Sequence, residues 1–312
     1  MKIISTGSSL PKTVVTNDDL AQKIDTTDAW IRTRTGIKTR HLAADETTVS
    51  LACAGARRAL EASRHVLPEE IGLIIVATST PTQYLPSVAN TVLKALNIPK
   101  AMAFDVNGAC SGFVYALTIA NGLMVTSGIK YALVIGAEVM SNIIDWNDRN
   151  TCVLFGDGAG AVLLENTTNA PFIYGRCGGI ADVDDALKTG PIADFGKNYL
   201  SMKGTDVFKF AVSTIISEIT TCLNETNLTA NQVDYIVLHQ ANGRMGEYVA
   251  KKLNMPLEKF YSNIAKVGNT SAASIPLVLD EMNQRGVLTP GMKVMLIGFG
   301  AGLSFGTVLL EW

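Results

Sequence analysis

A single offset brings one half of this 312-residue chain onto the other. "LPEEIGLIIVATST" (67–80) resembles "LTANQVDYIVLHQAN" (228–242), and "YALVIGAE" (131–138) resembles "KVMLIGFG" (293–300). The spacing agrees between the two pairs: 236 − 74 for Ile74 and Ile236, and 298 − 136 for Gly136 and Gly298, both give 162. Helical stretches end alike as well, in "VLKALNIP" (92–99) and "VAKKLNMP" (249–256), and "GAVLLE" (160–165) has a partner in "GTVLLE" (306–311). Any α/β chain repeats strand and helix units, but a shared offset requires duplication. The expected organisation is two homologous halves, 1–170 and 171–312, joined without a Pro-rich or charged linker.

Within each half, short β-branched runs alternate with amphipathic helical stretches, the pattern of a mostly parallel sheet covered by helices. "LIIVAT", "AMAFDV", "YALVIGA" and "AGAVLLE" read as strands of the first half, and "IVLHQA", "VMLIGFG" and "GTVLLEW" as strands of the second. Helices are expected at 50–63 and 111–127, and the Gly-, Asp- and Asn-rich segment 168–199 reads as a connecting loop. With 47% hydrophobic and 17% charged residues, the chain can bury a large core.

Composition also narrows function. A net charge of −2 gives no basic field for nucleic acid. The first residues, "MKIISTGSSLP", lack the apolar core of a signal peptide. The uncharged run 294–310 is interrupted by glycines and reads better as two buried strands around a turn than as a membrane helix. Five cysteines with no CxxC argue against a disulfide framework and for a reducing cytoplasm. None of the three histidines pairs with a cysteine at zinc-like spacing, so no metal site is expected.

One cysteine stands apart. In "FDVNGACSGFVYAL" (104–117), Cys110 falls between a strand and a helix that buries Phe113, Ala116, Leu117, Ala120, Leu123 and Met124. A helix N-terminus presents free N–H groups and favours a thiolate, the nucleophilic form. Small neighbours allow a substrate to approach closely. A buried filler thiol fits the local sequence too. The repeat adds to the case for a nucleophile. Offset by 162, Asn107 maps to Asn269 in "KVGNTSAAS", and Ala77 maps to His239 at the end of "YIVLHQAN". Ligands of duplicated open sheets gather at strand C-terminal ends, so Cys110, His239 and Asn269 are expected on one edge.

These motifs, with "STGSSLP" (5–11), "DAWIRTRTGI" (28–37), "ACSGF" (109–113), "FGDGAGA" (155–161), "HQANGR" (239–244), "GNTSAAS" (268–274) and "GFGAGLSFG" (298–306), resemble the β-ketoacyl-[acyl-carrier-protein] synthase III family nearly end to end. The resemblance implies a thiolase-like five-layer αβαβα fold, a homodimer, and a decarboxylative Claisen condensation of an acyl-CoA with malonyl-ACP. It implies Cys110, His239 and Asn269 as catalytic residues, with the N–H groups of Cys110 and Ala301 as oxyanion hole. It further implies Trp30, Arg149, Thr26 and Asn242 as CoA contacts and Gln240, Arg244, Lys209, Lys251 and Lys252 as carrier-protein contacts. Leu85 would bound the primer pocket across the dimer, and no cofactor is needed. Thiolases place a second cysteine in the glycine loop, and elongating synthases need two histidines; this chain has neither. Acyltransferases and specialised-metabolite synthases on the same Cys-His-Asn scaffold stay open. Ala301 interrupts a run that is usually all glycine, and the Asn107–Gly108 lead-in is a second departure.

Overall fold

The computed structural model describes residues 1–167, 172–190 and 199–312. In chain order the first half contains β1 (Lys2–Ser9), β2 (Thr13–Thr16), α1 (Asn17–Ala21), α2 (Asp28–Thr35), β3 (Thr39–Leu42) and α3 (Thr48–Ser63). It continues with β4 (Ile71–Ala77), α4 (Val88–Ala95), β5 (Met102–Val106), α5 (Gly112–Ser127), β6 (Tyr131–Glu138) and β7 (Gly158–Glu165). Then follow β8 (Phe172–Gly179), β9 (Leu187–Thr189), β10 (Leu200–Met202), α6 (Gly204–Thr226), β11 (Tyr235–Leu238) and α7 (Gly243–Leu253). The chain ends with α8 (Ile264–Val267), α9 (Ser274–Gln284), β12 (Lys293–Gly300) and β13 (Ser304–Glu311).

Two sheets dominate. One runs β1-β7-β6-β4-β5, the other β11-β12-β13-β8. Strands β5, β4 and β6 are parallel, as are β11 and β12, while β7 and β13 run antiparallel to their neighbours. Each sheet draws its strands from one half of the sequence.

Strand parity sorts the layers. On β6, Tyr131, Leu133, Ile135 and Ala137 pack with α3 and α4, whereas Ala132 and Val134 face α5 and α9. On β12, Val294 and Leu296 join that same middle layer, whereas Met295, Ile297 and Phe299 face α6 and α7. The order is therefore helices, sheet, α5 with α9, sheet, helices: five layers. Because both faces of each sheet are covered, β6 is buried along its whole length and reads as a continuous apolar run. The stretch Ala109–Ser127, which includes α5, is apolar enough by composition to cross a bilayer, yet it lies between the two sheets, with Phe113, Ala116, Leu117, Ala120 and Met124 buried there.

Of the segment 168–199, expected to be one loop, residues 168–171 and 191–198 lie outside the described residues, and the rest is not one loop. It holds β8 and β9, and β9 pairs with β10 in a small hairpin. β8 is an edge strand whose Gly175 and Gly178 lie under aromatic rings: a Cβ there would meet Phe172 at 2.6 Å and Phe305 at 2.5 Å. Ring packing, not chain reversal, demands those glycines, so the composition misleads.

The two halves interlock at equivalent points. The 3₁₀ turns Ala109–Ser111 and Ser271–Ala273 stand 162 residues apart, as do Gly136 and Gly298. Each turn seats on the opposite sheet. A Cβ on Gly298 would lie 2.8 Å from Ser111 Cα, and one on Gly136 would lie 2.2 Å from the Ala272 carbonyl oxygen. Both turns enter through a left-handed residue, Ala109 (φ 47°) and Ser271 (φ 49°). The strain is held by Asx turns: the Asn107 Oδ1 accepts from the Ala109 N–H (3.2 Å), and the Asn269 Oδ1 from the Ser271 N–H (2.9 Å). Asn107 thus repeats, in the first half, the backbone task of Asn269.

Gly136→Ala and Gly298→Ala are expected to lower the unfolding free energy by roughly 1–3 kcal/mol each through overpacking. Gly122→Ala, in an open part of α5 with nothing within 4 Å of the new Cβ, should hold or raise stability by up to about 1 kcal/mol. Urea unfolding of the three variants checks this contrast.

Candidate active site

Cys110 occupies the turn between β5 and α5, and the loop after β12 closes over it. A Cβ on Gly300 would sit 2.8 Å from the Cys110 nitrogen, so no side chain fits there. Two cavities meet at the thiol. One, of about 150 Å³, brings Cys110, His239 and Asn269 together among Phe155, Met202, Phe208 and Phe299. The other, of about 310 Å³, lies beyond Cys110 and is bounded by Ser79, Asn107, Met140, Ile143, Leu200 and Ala301.

His239 directly follows β11, and its N–H still bonds the Ile297 carbonyl of β12 (2.8 Å). Its ring packs edge-on to Phe299, with centroids 5.1 Å apart. Burial pushes the imidazole down to about 3, so it is neutral at any ordinary pH. A neutral ring carries one proton, and its location matters. The Nδ1 lies 2.7 Å from the Ser274 Oγ, and that oxygen also accepts from the Gln240 N–H (3.4 Å). With Ser274 donating to Nδ1, the ring proton sits on Nε2.

Asn269 is fixed at three points. Its N–H donates to the Leu154 carbonyl (2.8 Å), its carbonyl accepts from the Gly156 N–H (2.9 Å), and its Oδ1 accepts from the Ser271 N–H. With Oδ1 occupied, the free end of the amide is the Nδ2 donor. In that tautomer the cavity holds a thiol and two neutral N–H donors.

The thiol itself is not depressed. Burial pushes Cys110 up to about 12, the Glu138 carboxylate adds to the rise, and a Ser271 hydrogen bond opposes it. The side chain keeps some open surface toward both cavities, but the dense surroundings remove water from the charged form. Desolvation is the largest influence on the thiol.

The remaining expected residues fall in three places. Trp30 on α2 is flanked by Arg34 and Arg149, whose guanidinium carbons lie 4.5 and 5.4 Å from its ring centroid. Arg149 is held there by the Asp25 carbonyl (2.9 Å) and carboxylate (3.2 Å). Near them, the Thr26 hydroxyl is buried without a partner. Asn242 caps α7, accepting from the Arg244 N–H (3.0 Å) and donating to the Arg34 carbonyl (3.0 Å). Arg34, Lys209, Arg244 and Lys251 line an open groove of about 860 Å³ that shares Gly204, Phe208 and Asn242 with the cavity above Cys110. Lys252 stands beside it, over the Tyr248 ring (5.6 Å).

One expectation changes. Gln240 is only 5% exposed and spends its amide on the Leu238 carbonyl and the Ser262 hydroxyl, so it is no surface contact for a carrier protein. Leu85, expected to act across a dimer, is 85% exposed and lines neither cavity of its own chain. Ala301 does not carry the unusual backbone: Gly302 does (φ 129°), and Ala301 faces Cys110 across the larger cavity. Ser274, Ser271 and Arg34 escaped the sequence reading. Ser274 and Ser271 sit inside "GNTSAAS", but only the folded turn shows which hydroxyl meets which partner. Among the described residues no group of three or more His, Cys, Asp or Glu could hold a metal ion.

A five-layer duplicated fold with a cysteine, a histidine and an asparagine at one pocket defines a thiolase-fold condensing enzyme. Comparison with known proteins narrows the class. Residues 104–176 match the 3-oxoacyl-[acyl-carrier-protein (ACP)] synthase III family, and residues 223–312 match its C-terminal domain. The chain is 44% identical to the β-ketoacyl-[acyl-carrier-protein] synthase III of Clostridium acetobutylicum, over 100% of this chain and 98% of that one. The crystal structure of 3-oxoacyl-[acyl-carrier-protein] synthase III from Aquifex aeolicus superposes with a TM-score of 0.95 at 42% identity, covering 100% and 99% of the two chains. The priming β-ketosynthase of the R1128 polyketide pathway superposes equally well (TM-score 0.95) at 33% identity, covering 99% and 95%. The chain belongs to the β-ketoacyl-[acyl-carrier-protein] synthase III family. It is an acyltransferase, an initiating condensing enzyme of fatty-acid synthesis.

Because folded His239 binds its proton only near pH 3 while an unfolded histidine binds near 6.5, its contribution to stability is full above pH 6.5 and is lost as pH falls. The loss is about 1.4 kcal/mol per pH unit, or about 2 kcal/mol by pH 5. His239→Gln should remove that part of the slope, measured as urea midpoints at pH 7 and pH 5.

Proposed function

We propose that Cys110 takes an acyl group from a short acyl-CoA, acetyl-CoA by default, and passes it to malonyl-ACP, giving β-ketoacyl-ACP, CoA and CO₂. The observation that carries this reading is the common cavity of the thiol and two fixed neutral donors. The Cys110 sulfur attacks the thioester carbonyl, the C–S bond to CoA breaks, and an acyl-cysteine forms. The Cys110 and Ala301 N–H groups hold the oxyanion. Malonyl-ACP then enters the same cavity. His239 Nε2–H and Asn269 Nδ2–H donate to its thioester oxygen as the carboxylate carbon leaves and enolate charge develops there. The enolate carbon attacks the acyl-cysteine, and the cysteine sulfur leaves. A permanently neutral His239 suits this task, since it must donate and never needs to change charge. No cofactor is required, because the thioester stabilises the carbanion.

The acyl group of the acyl-enzyme fills the cavity beyond Cys110. The CoA arm follows the smaller cavity outward, with the Thr26 hydroxyl and the Asn242 cap beside it. Its adenine stacks between Trp30 and Arg149, which must first move off the ring to admit a base plane. Carrier protein, an acidic partner, docks on Arg34, Lys209, Arg244, Lys251 and Lys252, a local basic face on a chain of net charge −2. The enzyme works as a homodimer. β5 ends its sheet with an unpaired edge, Met102 on it is 46% exposed, and Tyr84 and Leu85 are further exposed apolar side chains. Pairing two such edges would cover them and carry Leu85 toward the partner's acyl cavity. The reducing cytoplasm, with no nucleic acid or membrane partner, is the proposed setting.

Incubation with acetyl-CoA should add one acyl mass, and Cys110→Ala should add none by intact-mass analysis. His239→Ala and Asn269→Ala should acylate normally but lose malonyl-ACP decarboxylation by about 10²–10³-fold each; normal CO₂ release by both would refute their role. A matrix of acyl-CoA primers against malonyl-ACP and malonyl-CoA, read by product mass, sets the primer. It also separates fatty-acid initiation from the priming role named for the R1128 relative.

A further inference from the structure

Arg40, on β3, is completely buried, and the acyl-transfer chemistry does not use it. Burial lowers its guanidinium to about 10, so it stays a cation at neutral pH. Among the described residues no carboxylate pairs with it. Its partners are neutral oxygens on two separate segments. Nη1 donates to the Asn17 Oδ1 (2.8 Å), and Nη2 donates to the Val153 carbonyl (2.8 Å). Asn17 is itself fixed, since its Nδ2 donates to the Ile37 carbonyl (2.8 Å) and to the Asp28 carboxylate (2.9 Å). One arm of the guanidinium is thus anchored to a rigid corner, and the other holds Val153. A planar fork suits two such acceptors, where an ammonium is a single point charge.

Val153 leads into the segment on which Asn269 hangs. The next carbonyl, that of Leu154, accepts from the Asn269 N–H (2.8 Å), and the Gly156 N–H donates to the Asn269 carbonyl (2.9 Å). Phe155 and Asn269 face each other in a parallel bridge. The stem of Arg40 packs under both sides of that bridge: a Cβ on Gly156 would lie 3.2 Å from the Arg40 Cβ, and one on Gly268 would lie 3.3 Å from it. Chain neighbours of Arg40 clasp the same unit. The Lys38 N–H donates to the Ala265 carbonyl (2.9 Å), the Thr39 hydroxyl to the Lys266 carbonyl (2.8 Å), and the His41 carbonyl accepts from the Asp157 N–H (2.8 Å). Within this frame the Asn269 side chain has one described hydrogen bond, from the Ser271 N–H. The direction of its Nδ2 therefore follows from where the backbone sets it.

We propose that Arg40 is a positioning residue for Asn269: it fixes the segment 153–156, and through it the place from which the amide donates to the malonyl thioester. Arg40 borders neither cavity at Cys110, so it acts only through the backbone it holds. Without the guanidinium the Val153 carbonyl, on a buried residue, loses this donor, and the bridge to Asn269 loses its floor. A misplacement of about 1 Å at a reacting group can cost on the order of 10²-fold. Cys110 stands on the opposite turn, against Gly298 and Gly300, and its acylation does not call on the Asn269 amide. The two half-reactions therefore depend on Arg40 unequally.

The inference rests on Asn269 donating during decarboxylation. The test uses Arg40→Met, which keeps the stem and removes the fork, together with Asn269→Ala and the double variant. Each enzyme is acylated with saturating acetyl-CoA, followed by intact mass, and CO₂ release from malonyl-ACP is then measured. In Arg40→Met the acylation rate should stay within about threefold of wild type, whereas decarboxylation should slow by about 10-fold or more. The double variant should decarboxylate no more slowly than Asn269→Ala alone, because a residue that acts through Asn269 has nothing left to place. Unchanged decarboxylation in Arg40→Met overturns the proposal. So does a double variant whose loss is the product of the two single losses, and so does an equal loss in both half-reactions, which would mark general damage to the fold. If Arg40→Met fails to fold, Arg40→Lys, which keeps the charge without the planar fork, runs the same cycle under the same criteria. Normal CO₂ release by Asn269→Ala would instead overturn the donor assignment beneath the inference.

Discussion

The site depends on how closely the two halves can approach. Each half delivers a sharp turn, one carrying Cys110 and the other Asn269, and each turn rests on the sheet of the opposite half. Gly136 and Gly298 make this possible, because any Cβ there would strike the backbone of the visiting turn. Symmetry of the chain thus becomes a shared floor. The nucleophile and the amide converge because one duplicated contact occurs twice, in opposite directions.

Burial at that floor then sets the electrostatics. The same packing that aligns the turns drives the thiol up to about 12 and the imidazole down to about 3. Every ionisable group at the centre is pushed toward its neutral form. Such a place favours neutral donors, with bulk charge kept to the rim. The basic groove formed by Arg34, Lys209, Arg244 and Lys251 lies at the surface, where charge is cheap to hydrate and acts at long range.

The pseudo-symmetry was used unequally. Asn107 and Asn269 make the same Asx turn, and Ala109 and Ser271 adopt the same left-handed backbone. Yet only the second turn presents an amide to the reaction cavity. In the first half the position after the turn became a cysteine, and the partner of Ala77 became a histidine. Duplication supplied a scaffold of two equivalent strand ends, and divergence assigned nucleophile and donors to different ends.

The repeat offset was legible because packing contacts depend on spacing, and spacing survives in the chain as a number. It placed Cys110, His239 and Asn269 on one edge before any coordinates. Strands buried on both faces were legible for a related reason: they are continuous apolar runs. The edge strand β8 was not, since its glycines serve neighbouring rings. Gln240 looked like a rim residue next to a catalytic histidine, but chain adjacency does not reveal that its side chain turns inward to Ser262. Ser271 and Ser274 share one motif and Glu138 lies in another, and only the folded turns show which partner each meets. The sequence by itself determined the duplication and put Cys110, His239 and Asn269 at equivalent strand ends. Only the tertiary structure decided which groups are buried and which polar atoms meet, because those follow from distances of a few ångströms between residues far apart in the chain.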